Sequence, residues 1–134
     1  MWKYDMKDYL LEETEIELSD LLIEEIANKS MDRETTLSII VHNNEPDFKT
    51  MLGGYYYDSK GSVERIQLKN GSLEFVNAKL GSFRVGYVVN YHMGCSDVSY
   101  DDRQEMKIAF DIDTQRKVMK LVGERIPLRG PDEL

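Results

Sequence analysis

The chain has 134 residues, of which 41% are hydrophobic and 31% charged, with a formal net charge of −8 and a single cysteine. This composition describes one folded domain that buries its own core, excludes a disordered chain, and leaves no internal disulfide. No apolar run reaches the length of a membrane span, the first fifteen residues lack the basic start and apolar centre of a secretory signal, and the C-terminal PDEL is no retrieval signal without one, so a reducing cytoplasm is the expected setting.

Charge is distributed unevenly. Residues 1–34 hold eleven acids and four bases, whereas the remaining hundred hold fourteen acids and thirteen bases. Such a field repels nucleic-acid phosphates and attracts basic partners. The whole chain, 1–134, reads as a single domain with an acidic helical part at 1–30, an antiparallel sheet over 35–126 and a tail at 127–134.

In chain order, Met6, Tyr9, Leu10 and Glu13 sit at helical spacing. Thr14 and Glu17 have the T-x-x-E spacing of a capping box, which predicts a second helix or a bend. Leu18, Leu22 and Ile26, with Leu21 or Ile23, give it an apolar stripe, with Glu17, Asp20, Glu24 and Glu25 on other faces. Asn28, Lys29 and Ser30 read as its end. Thr36–His42 (TLSIIVH) is β-branched and apolar, which predicts a strand. NNEPDFK then reads as a loop, and GGYYYDSKG as a short aromatic strand or packed loop.

Asn70-Gly71 is the preferred pair for a two-residue type I′ hairpin turn. It would set Leu68 opposite Leu73 and Ile66 opposite Phe75. Gly81-Ser82 suits a type II′ turn pairing Leu80 with Phe83, Ala78 with Val85 and Val76 with Tyr87. Reconciling the two registers predicts a β-bulge between Phe75 and Ala78. From Phe83 to Met93 the odd positions are apolar. Met106, Ile108, Phe110 and Ile112 repeat the pattern, and VMKLVGERI follows the polar TQRK as a final strand. The fold class is therefore α+β, with an N-terminal helix or helix pair on one face of a curved antiparallel meander of five to six strands.

Catalytic motifs are scarce. There is no G-x-S-x-G, P-loop, G-x-G-x-x-G or H-E-x-x-H. NYHMGCSDVSYDD (90–102) brings His92 within three residues of Cys95, but it lacks the ligand number of a zinc site and the spacing of an EF-hand loop. It reads as a polar inter-strand loop, and no metal, cofactor or catalytic residue is expected. The leading expectation is a non-enzymatic interaction module of the immunity-protein, antitoxin or inhibitor type. It would occlude a basic partner with Glu13, Glu17, Asp20, Glu24 and Glu25, aided by Tyr55 and Tyr57. Two further readings stand beside it. One is a ligand-binding or enzymatic pocket lined by Tyr87, Tyr91, Phe110 and Met106, with His92 and Asp97 at a mouth formed by residues 94–103. The other is a structural subunit of an assembly, joined through strand edges.

Overall fold

The computed structural model describes residues 9–27, 33–93 and 98–127. At the N-terminus, Tyr9–Leu10 (β1) and Glu13–Glu17 (β2) are strands rather than a helix. The ETEIE stretch has period two. Ile16 is buried, Thr14 half-buried, and Glu13, Glu15 and Glu17 are exposed. Residues three apart on a strand point to opposite faces, so Thr14 and Glu17 form no capping box. The cap belongs instead to Ser19, whose Oγ accepts from the Leu22 N–H at 3.2 Å where Asp20–Ala27 (α1) begins. The end expected at 28–30 lies outside the described residues.

The stretch read as the strand TLSIIVH lies within a helix, Arg33–Asn43 (α2). Its β-branched residues favour a strand locally, but Leu37, Ile40 and Val41 share one helical face and are buried there, with Thr36 beside them. The expected NNEPDFK loop is mostly helix as well, Glu45–Gly53 (α3), with Pro46 in the first turn, where a missing N–H costs nothing. Asn44 joins the two: its Nδ2 donates to the Ile40 carbonyl at 2.9 Å, and its own carbonyl accepts from Asp47 and Phe48. Phe48, Met51 and Leu52 form the buried face of α3. The three tyrosines follow in a 3₁₀ turn, Gly54–Tyr56, and the turn after it, not in a strand.

Six strands form the main sheet. They are β2, Gly61–Leu68 (β3), Glu74–Phe75 (β4), Leu80–Met93 (β5), Val98–Asp113 (β6) and Val118–Val122 (β7). The order is β2-β7-β6-β5-β3, with β4 also on β5, and every pairing is antiparallel. A separate ribbon joins β1 to Ile126–Pro127 (β8). The helices pack on one face of this curved sheet, giving the expected α+β architecture. Phe83, Val85, Tyr87 and Val89 on β5 and Met106, Ile108, Phe110 and Ile112 on β6 are buried against them. Phe48 lies 6.4 Å from Phe83, and Phe83 lies 5.9 Å from Phe110.

The connection from 69 to 79 differs from both predicted hairpins. Asn70-Gly71 does turn, with the Ser72 N–H donating to the Lys69 carbonyl at 3.2 Å. Only Gly71 is left-handed (φ 76°), however, and a type I′ turn needs both central residues there. β3 and β4 both pair with β5, through Leu68↔Val85 and Glu74↔Ser82, so the residues between them are expelled from one edge. The Ser72 hydroxyl fills the gap, accepting from the Arg84 N–H at 3.0 Å and donating to the Lys69 carbonyl at 2.7 Å. Leu68–Leu73 and Ile66–Phe75 are consequently not pairs. Gly81 and Ser82 lie inside β5, and the tight turn precedes them. There Asn77 Oδ1 accepts from the N–H groups of Lys79 and Leu80 at 2.8 and 2.9 Å. The pairs expected around Gly81-Ser82 do not form. The bulge expected near Phe75 falls between Glu64 and Gln67, where Arg65 has φ 58°.

The β5–β6 hairpin outruns the sheet. β6 pairs with β5 from Val98 onward but with β7 only from Ala109. The loop expected over 94–103 is therefore strand from Val98, and 94–97, including Cys95 and Asp97, lies outside the described residues. The Lys107 N–H points away from β5, to Glu124 Oε2 at 2.7 Å. By the alternation of antiparallel bonding, Ser99, Asp101, Arg103 and Glu105 also turn their N–H and C=O groups to the open edge.

Candidate functional site

The carboxylates expected to share one helical face are divided between two elements. Glu13 and Glu17 are on β2, and Asp20, Glu24 and Glu25 are on α1. β2 lies against β7 and the basic turn before it, and its charges meet bases there. Glu13 pairs with Lys120 at 3.3 Å, Glu15 with Arg116 at 3.0 Å, and Asp20, just beyond the strand, with Lys117 at 3.1 Å. Glu17 sits opposite Val118. Glu17, Glu24 and Glu25 are exposed, and Leu21, 63% exposed, stands on the Glu24–Glu25 side of α1. The anionic surface is thus smaller than composition suggests, because tertiary pairing supplies it with counter-charges.

The tyrosines separate by role. Tyr55 is buried, its hydroxyl donating to the Glu124 carbonyl at 2.7 Å and accepting from the Glu12 N–H at 3.1 Å. It fastens the 3₁₀ turn to the strand ends. Tyr57 is 81% exposed, beside Asp58, Lys60 and Gly61. Tyr56, between them, bonds hydroxyl to hydroxyl with Tyr87 at 2.8 Å. Burial raises the Tyr87 hydroxyl far above the ordinary phenol range, and its bond to Tyr56 adds to that. Burial likewise raises Tyr55 and Tyr56.

From this pair an aromatic row runs outward along the core-side face of the hairpin. Gly61, Tyr91 and Tyr100 are aligned across β3, β5 and β6. Gly61 leaves room that a Cβ would take from Val89, Tyr91 and Tyr56. Tyr91 is half-buried and stacks on Tyr100 at 5.1 Å and 24°, and Tyr100 is 54% exposed. Asp102 follows on the same face, accepting at 2.7 Å from the Gln104 side-chain amide, while Asp101 on the opposite face accepts at 2.7 Å from that of Asn90. Their negative charge therefore has no cationic partner among the described residues. The signal for this row was present in the sequence, since Val98, Tyr100, Asp102 and Gln104 continue the even positions of β6 beyond the core.

The expected pocket does not assemble. His92 lies on the face opposite Tyr91, as adjacent strand residues must, and Phe110 and Met106 are in the packed core. Asp97 is outside the described residues. Among the described residues no three His, Cys, Asp or Glu side chains are placed to hold a metal, and no helix is long and apolar enough to cross a membrane. No family model matches the chain, and neither a curated protein nor a solved structure does so.

Proposed function

We propose that the protein is a non-enzymatic interaction module that binds a basic protein partner, in the manner of an immunity protein or inhibitor. The carrying observation is the Tyr91–Tyr100 stack standing beyond the core on the β5–β6 hairpin, with Asp102 on the same face and, among the described residues, bonded to an amide rather than to a base. Stacked tyrosines offer contact area at small entropic cost, and uncompensated carboxylates select cations and accelerate encounter. The exposed Tyr57, beside Gly61, would extend the contact, and the exposed Glu17 on β2 and Glu24 and Glu25 on α1 would add long-range attraction for a basic partner. Occlusion follows if the partner uses its basic surface for substrate.

Capture from cells at low salt with the wild-type chain, in parallel with a Tyr57→Ala/Tyr100→Ala variant, tests the reading. A basic protein retained by the first should bind the second at least about tenfold more weakly, as loss of central aromatic anchors predicts. Its association rate should fall severalfold as salt rises to about 0.5 M. Equal retention by both proteins, or an association rate indifferent to salt, rejects the assignment.

A further inference from the structure

A local patch on the solvent-facing side of the sheet, where β3, β5 and β6 run together, has more bases than acids. Lys69 adjoins Arg84, and Arg84 is directly opposite Lys107, so three bases cross three strands in one row. Like charges placed opposite one another cost stability. The next row is Gln67, Gly86 and Glu105, and the next is Glu64, Val88 and Arg103. Glu105 is shared by Lys69 at 3.2 Å and Arg84 at 2.8 Å, so the bases of these rows outnumber their two carboxylates, Glu64 and Glu105. No described residue pairs with the side chains of Arg65, Arg103 or Lys107. Gly86 floors a shallow groove between them, with Arg65, Lys69 and Arg103 on its rims.

Arg65 reaches that rim from a left-handed backbone (φ 58°) at the β3 bulge, a conformation glycine adopts freely and arginine only with strain. Gly86 has no such backbone reason. A Cβ there would meet only Lys69 Cδ at 3.4 Å and the Gln104 carbonyl at 3.9 Å, so the strand tolerates a larger residue and would favour one. A strained arginine and a dispensable glycine both serve the groove rather than the fold.

We infer that this groove binds an extended acidic polypeptide segment of another protein through Arg65, Lys69, Arg84, Arg103 and Lys107. None of the three rows has an aromatic ring on which a nucleobase could stack, and an open, shallow trough with a glycine floor suits a polypeptide laid across it rather than an enclosed small anion. This surface lies on the opposite face of the sheet from the tyrosine row and stands or falls separately.

The test measures fluorescence polarisation of a labelled glutamate decamer on the full chain at low ionic strength, with an oligothymidylate of equal length and inorganic phosphate as competitors. Saturable binding is expected, weakened at least about fivefold by Gly86→Val and by Arg65→Gly and abolished by Arg103→Glu. Gly86→Val and Arg65→Gly should unfold at the same temperature as the parent or higher, which separates loss of the site from loss of the fold. Absence of saturable binding, unchanged affinity in the variants, equal displacement by oligothymidylate or phosphate, or sedimentation showing that a second copy fills the groove would each overturn the inference.

Discussion

Single side chains decide how the strand ends close. Tyr55 has two hydrogen bonds that tie Glu12 and Glu124 to the 3₁₀ turn, so Tyr55→Phe leaves a partly buried carbonyl and N–H in search of water. A loss of about 1–3 kcal/mol is expected in urea denaturation. Gly81 shows the opposite case to Gly86. A Cβ at Gly81 would run into the Glu74 carbonyl and the Phe110 ring, so Gly81→Ala should destabilise by about 1–3 kcal/mol, as overpacking does, whereas Gly86→Ala should not. Buried tyrosines set the alkaline limit. Folding raises the hydroxyl pKa of Tyr55, Tyr56 and Tyr87 chiefly by burial, which favours the protonated form in the native state. Their contribution is therefore complete below the unfolded phenol value near about 10 and is lost as pH rises above it. Tyrosinate absorbance should show these three ionising only with unfolding, and Tyr87→Phe should shift that transition.

At the scale of elements, the β2–β7 ion pairs neutralise charge more than they stabilise. Glu13 and Lys120 are each about half exposed, so Lys120→Ala should change stability by no more than about 1 kcal/mol in chemical denaturation. The open edge of β6 carries Asp101, Arg103 and Glu105, a composition that discourages indiscriminate strand addition. Legibility varied for physical reasons. β5, β6 and β7 were readable because each buries one face and exposes the other. β2 was misread because T-x-x-E spacing can signal a helix start, although Glu13, Glu15 and Glu17 already alternated. α2 was misread because seven residues rich in β-branched side chains hide a helical period that emerges only when Thr36, Leu37, Ile40 and Val41 are taken together. The two predicted hairpins failed for different reasons: Ser72 lets β3 and β4 share β5, and the Asn77 side chain turns the chain before Gly81 is reached.

For the whole molecule, net charge opposes compactness. Raising salt from about 0.01 to 0.5 M shortens the screening length from about 30 Å to below 8 Å and should raise the thermal midpoint, because weak surface pairs lose less than general repulsion does. A fall in the midpoint would show that the ion pairs dominate. The sequence by itself determined the α+β class, the alternation of the three longest-range strands and the overall excess of acid, since period-two burial and composition are local properties. Only the tertiary structure decided where charge remains uncompensated, because Glu13, Glu15 and Asp20 meet their bases about a hundred residues away along the chain. It alone brought Tyr56 to Tyr87 and laid Lys69, Arg84 and Lys107 in one row, since cross-strand neighbours are set by register, and register follows from which turns the chain takes.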